Sequence, residues 1–139
     1  RTRVSSMKHW FKSIENDVAG TSYSLDKVIA ELNFDADGLI PVIAQDEKSM
    51  KVLMFAWMSK ESLDETLRTG KMCYWSRSRQ GLWRKGSSSG HSQTVKSIAA
   101  DCDGDVLLAE VSQVGFACHT RRHSCFYLRF WEDKVTLIE

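Results

Sequence analysis

Residues 94–111 read T-V-K-S-I-A-A-D-C-D-G-D-V-L-L-A-E-V. Two strand-like runs, Thr94–Ala99 and Val106–Val111, flank an acidic cluster, and their β-branched and aliphatic content sets the character of this half of the chain. Working outward, Met72–Ser76, Phe126–Phe130 and Lys134–Ile138 carry the same strand signal. Toward the start, Leu39–Ala44 and Val52–Trp57 read as strands, separated by the charged turn 45–51. Ser24 is a plausible N-cap for a helix bearing Leu25, Val28, Ile29 and Leu32, which the D-A-D-G turn at 35–38 ends. Ser59 caps a short helix with Leu63 and Leu67, stopped by Gly70. Residues 1 to about 23 carry only a weak helical pattern (Trp10, Phe11, Ile14, Val18). The order points to an α+β domain with a largely antiparallel sheet and short helices. The expected organisation is an N-terminal helical extension over 1–33 and a single domain over 34–139.

The 139 residues suffice for one compact domain, and 42% apolar with 27% charged residues argues against disorder. A net charge of +1 supplies no bulk attraction to nucleic acid or to a membrane surface. No apolar run approaches the roughly 20 residues that span a bilayer, and no signal-peptide pattern opens the chain. The four cysteines, Cys73, Cys102, Cys118 and Cys125, are too sparse for a secreted disulfide scaffold of this length. A reducing, cytoplasmic compartment with thiols available for metal is the expectation.

Within D-C-D-G-D, Asp101, Asp103 and Asp105 stand two residues apart. If the segment is extended, all three carboxylates share one face and Cys102 takes the other. The carboxylates then suit a hard cation such as Mg²⁺, and the thiolate suits Zn²⁺. An EF-hand fails, because its position-six glycine would fall on Val106 and its position-twelve glutamate on Ser112. The alternative is a solvated acidic turn before a strand.

Residues 118–125 read C-H-T-R-R-H-S-C, two cysteines and two histidines in a short run, which is a stronger metal signal than any one alone. The spacing is not that of a zinc finger, and a disulfide or two buried thiols are the competing readings. Cys102 is the nearest further thiolate in sequence. If S-Q-V-G at 112–115 were a hairpin turn, Cys118 would lie opposite about residue 109, so Cys102 would arrive through a bent strand or from a second subunit. Three thiolates with one open position is a catalytic zinc pattern. Cys73, between Met72 and Tyr74, reads as a packing residue.

The stretch R-S-R-Q-G-L-W-R-K-G-S-S-S-G-H at 77–91 reads as a long basic loop with Trp83 embedded. Arg77, Arg79, Lys85 and the glycine-flanked serines are suited to phosphate, although no P-loop pattern is present. A flexible solvated loop is the bland alternative. His91 beside such donors is a candidate general acid or base.

Together Y-W-S-R-S-R at 74–79, L-W-R-K-G at 82–86, S-G-H at 89–91, D-C-D-G-D at 101–105 and C-H-T…S-C-F at 118–126 resemble phosphoribosyl-AMP cyclohydrolase, a family of histidine-biosynthesis enzymes. The resemblance covers roughly residues 34–130. It implies an interlocked α+β homodimer in which Cys102 of one subunit joins Cys118 and Cys125 of the other around Zn²⁺. It also implies Mg²⁺ on Asp101, Asp103 and Asp105. The implied substrate is a small phosphorylated nucleotide, an AMP carrying phosphoribose on purine N1, with water attacking C6 and the N1–C6 bond opening. His91 and His119 are the implied proton-transfer candidates. Trp75, Ser76, Arg77, Arg79, Trp83, Lys85, Ser89 and Gly90 are the implied substrate-binding residues. Two positions depart from the family pattern. Arg121 stands where C-H-T-G has glycine, which argues against a positive-φ turn there, and His123 offers an extra zinc ligand. The competing class is a non-catalytic zinc module whose basic loop binds nucleic acid.

Overall fold

The computed structural model describes residues 8–139. Its elements, in chain order, are α1 (Trp10–Ser13), α2 (Leu25–Glu31), β1 (Leu39–Asp46), β2 (Val52–Ser59), α3 (Lys60–Thr69), β3 (Cys73–Ser76), β4 (Gly81–Arg84), β5 (Gln93–Ala100), β6 (Leu107–Gln113), β7 (Leu128–Trp131) and β8 (Lys134–Leu137). Strands β1–β6 form one sheet in the order β4-β3-β2-β1-β6-β5, and β7 and β8 form a separate two-stranded ribbon. The fold is α+β, as expected. The pairings are antiparallel except β1 with β6, which run parallel from Val42↔Leu107 to Asp46↔Val111.

Local chemistry accounts for the boundaries. The Ser24 hydroxyl accepts from the Lys27 N–H and starts α2. Ser59 and Ser62 exchange hydrogen bonds in a capping box that starts α3, and Gly70, at φ +73, ends it. Asp35 Oδ1 accepts from the N–H groups of Asp37 and Leu39, which fixes the turn into β1. Beyond β5, Val95 N–H donates to Gly70 O and Met72 N–H to Gln93 O, and Lys71 bridges Thr94. The sheet therefore curls until β5 meets the segment that enters β3.

The core lies inside this curl, built from Ile40, Val42, Leu53, Met58, Tyr74 and Val111 among others. Leu32 and Asn33 are buried, and the Phe11 ring lies against Gly104, so residues before 34 contribute to the packed body. The weak helical pattern before Gly20 yields only the single turn of α1 among the described residues; the part of it in residues 1–7 lies outside them. The basic stretch 77–91 is not one loop. Gly81–Arg84 forms β4 and pairs with β3, dividing the stretch in two. Nor do residues 112–115 make a hairpin turn: β6 continues through Gln113, and 116–127 is irregular.

The acidic segment also departs from the extended geometry. Gly104 N–H donates to Asp101 O and Asp101 N–H to Val106 O, while Asp105 N–H donates to Asp101 Oδ1. These bonds, with Gly104 at φ +66, make 101–105 the turn between β5 and β6. Period-2 alternation does not apply inside a turn. Cys102 accordingly lies with Asp101 and Asp103, their ligating atoms all within 4.8 Å of one another, rather than on an opposite face.

Candidate active site

Segment 116–125 has no strand to hold it, so its placement depends on specific bonds. Cys118 O accepts from Arg121 N–H, and Cys118 N–H donates to Arg122 O, closing a tight turn over C-H-T-R. Arg121 occupies φ +70, so the left-handed turn exists despite the side chain. Ser124, fully buried, donates its hydroxyl to Val52 O, and Cys125 N–H donates to Leu53 O. The Glu139 carboxylate accepts from the N–H groups of His123 and Ser124. The S-C-F run is thereby stitched to β2.

This folding brings Cys118 and Cys125 to one cavity of about 620 Å³, together with His119, His91, Lys85, Ser89, Trp83 and Arg121. That volume is typical of small-molecule sites. Burial pushes the Cys118 thiol up. The Thr120 hydroxyl, 3.0 Å from its sulfur, with the Thr120 N–H, the Cys125 thiol and Arg122, more than reverses this and brings it below the ordinary value. Cys125 is pushed up to about 11, by desolvation of its thiol and then by Cys118 beside it. Lys85 donates to Ala117 O at 2.6 Å; burial holds its ammonium below the usual range, while the two thiols pull the other way. Two adjacent thiols are donors that suit zinc, while no imidazole among the described residues stands within 4.8 Å of both.

The other sequence candidates lie elsewhere. Trp75 pairs with Trp57 and Leu82 in the sheet. The Arg77 guanidinium sits over the Trp57 ring at 4.7 Å, and Ser76 bonds Ser78 and the Arg79 N–H at the β3–β4 turn. Gly90 N–H closes on Gly86 O within the 85–91 loop. His123 does not line the cavity; its Nε2 lies 3.9 Å from Asp46 Oδ2. Cys73 is buried, and its thiol is pushed up to about 12 by burial and then by Glu65, in keeping with a packing role.

Cys102 and the aspartates stand at the Ala100–Leu107 end of the β5–β6 ladder, and the cysteine cavity stands at its Gln93–Gln113 end. The eight-residue β5 spans about 25 Å between those two ends. Asp101 and Asp103 are close enough to share a hard cation; Asp105 is buried and outside that group.

Several residues that hold the site escaped the sequence reading. Gln93, fully buried, accepts from the Tyr74 hydroxyl at 2.6 Å and donates to Gln113 Oε1 at 2.8 Å. Gln113 Nε2 donates onward to the carbonyls of His91 and Val114. Gln93 stands in a strand that also carries Thr94, Lys96 and Ser97, so a further polar residue there gave no signal. Ser124 and Glu139 offered none.

A family model described as phosphoribosyl-AMP cyclohydrolase matches residues 54–127. The chain is similar to proteins named phosphoribosyl-AMP cyclohydrolase from several bacteria. The relative from Alkalilimnicola ehrlichii is 53% identical over 128 residues, 92% of this chain and 90% of its own. That from Rhodospirillum centenum is 57% identical over 118 residues, 85% and 89% of the two chains. That from Bordetella avium is 60% identical over 102 residues, 73% and 76%.

Proposed function

The chain belongs to the phosphoribosyl-AMP cyclohydrolase family, and from that premise we propose a metal-dependent site completed by a second subunit. The activity is the hydrolytic opening of the purine ring of phosphoribosyl-AMP, a step of histidine biosynthesis. Phosphoribose on N1 leaves the amidine positively polarised, so C6 accepts water and the N1–C6 bond breaks. The observation that carries the reading is the convergence of Cys118, Cys125, His119, His91, Lys85 and Trp83 on one cavity.

Cys118 and Cys125 would hold zinc, with Cys102 of a second copy as third thiolate. Bound there, zinc would supply hydroxide at neutral pH by lowering the pKa of water to about 7. The separation of Cys102 from the cysteine pair along the β5–β6 ladder supports a shared site. So does the β7–β8 ribbon, which exposes Leu128, Phe130, Trp131, Val135 and Leu137, since an isolated two-stranded ribbon is marginal in water. Asp101 and Asp103 would hold Mg²⁺, with Asp105 supporting the turn. Trp83 presents a ring to the purine, and Lys85, Ser89 and Arg121 present donors to phosphate oxygens. Arg77, Arg79, Ser76 and Trp75, at the β3–β4 end, would meet the more distant phosphate or the partner. His91 and His119 are the groups able to hold or move a proton at the reacting ring. No helix among the described residues is long and apolar enough to cross a membrane; a cytoplasmic location is proposed from the biosynthetic role.

Zinc stoichiometry combined with a spectroscopic assay of ring opening tests the reading. Ring opening that is lost on chelation and restored by zinc is expected. Zinc-loaded protein that leaves phosphoribosyl-AMP intact would overturn it in favour of the non-catalytic zinc module.

A further inference from the structure

His91 is held more tightly than an exposed loop histidine would be. Its Nδ1 accepts the Phe116 backbone N–H at 2.7 Å. A backbone N–H can only donate, so Nδ1 carries no proton and the neutral ring bears its proton on Nε2. The Phe116 ring stacks on the imidazole, with centroids 5.4 Å apart and planes 27° from parallel. Gly115 lies so close that a Cβ there would fall 2.4 Å from Nδ1 and 2.7 Å from Cε1, and its φ of +65 disfavours any side chain as well. Gln113, two residues earlier, holds the His91 carbonyl, and Ser89 Oγ accepts the His91 N–H. Gly115 and Phe116 thus act on the imidazole, and Gln113 on the backbone, of a histidine that lines the cysteine cavity.

We propose that Gly115 and Phe116 are positioning residues that fix His91 as its Nε2–H tautomer. In that form His91 is a hydrogen-bond donor to the reacting purine and not the general base. This rests on the cyclohydrolase reading of the same cavity. With Nδ1 occupied, Nε2 is the nitrogen left for the substrate. A donor held in place strengthens its bond as negative charge develops on the ring, and needs no proton to leave the imidazole. Base work then falls to another group of the cavity.

The test pairs a tautomer measurement with kinetics on the zinc-loaded protein. In ¹⁵N-histidine-labelled wild type, His91 Nδ1 is expected to resonate as a bare nitrogen and Nε2 as a protonated one. A protonated Nδ1 would overturn the proposal. Gly115→Ala is expected to disturb those signals and lower kcat on the order of ten- to a hundredfold, with KM changed less than about threefold and zinc content unchanged. Unchanged kcat with unchanged His91 signals, or a rise in KM alone, would sink it. Should Gly115→Ala fail to fold, His91→Gln decides, because its amide can accept from Phe116 and still donate into the cavity. It should be clearly more active than His91→Ala, and equal loss in both counts against the proposal. Absence of ring opening by wild type would instead reject the cyclohydrolase reading, while the nitrogen spectrum still decides the tautomer.

Discussion

Tyr74 shows what one buried atom contributes. Its hydroxyl is the partner of Gln93 Oε1 in a part of the core that water does not reach. Tyr74→Phe leaves that oxygen unpaired, and we expect a loss of about 1–3 kcal/mol in urea unfolding, with the midpoint shifted and the slope unchanged. Arg121 is the opposite kind of residue, a side chain kept where glycine would be relaxed. The left-handed conformation costs a non-glycine residue about 1–2 kcal/mol, and glycine would give back about 0.4–1 kcal/mol of that through the unfolded chain. Arg121→Gly should therefore leave the melting temperature level or slightly raised. It also removes a cation from the cavity rim, so KM for the phosphorylated substrate should rise severalfold in steady-state assays. A clear fall in melting temperature would mean that the guanidinium over the Phe116 ring, 5.9 Å away, outweighs the backbone strain.

Among the elements, the irregular cysteine segment depends most on charge. Glu139 sits below the ordinary carboxylate range because it accepts the His123 N–H and, further, the Ser124 N–H, with Lys51 nearby. A depressed folded-state pKa means the stabilisation is present above the unfolded value of about 4.5 and is lost as pH falls through the lower folded value. Glu139→Gln should speed hydrogen exchange at the His123 and Ser124 amides at neutral pH, and the difference from wild type should close on acidification below that window. The strands were legible from their apolar and β-branched runs, and the cysteine pair from its density of ligands. β4 was hidden because its four positions begin with Gly81 and end with Arg84, inside a basic, glycine- and serine-rich stretch. The acidic triad was misread because alternation presumes an extended chain, and Gly104 turns it. The β1–β6 pairing leaves no local trace, since parallel and antiparallel partners ask the same pattern of a strand. Gly115, Gln113 and Ser124 gain their roles only from neighbours distant in sequence.

At the scale of the whole molecule, the proposed second copy is the main test. Sedimentation should give a dimer, and Trp131→Glu on the exposed ribbon should shift it toward monomer with loss of zinc and of ring opening. Cys102→Ala and Cys125→Ala proteins should each be inactive, yet mixing them should recover activity from the one composite site left intact; no recovery would argue against ligands shared between subunits. The parallel pairing of β1 has a further consequence, for the nascent chain. β1 emerges early and can pair with β2 at once, but its other edge has no partner until residues 107–111 have been synthesised. During that interval the growing polypeptide presents an apolar strand edge that invites pairing with other chains. Slow translation between β2 and β6 should therefore make this protein more dependent on chaperones than its size alone suggests.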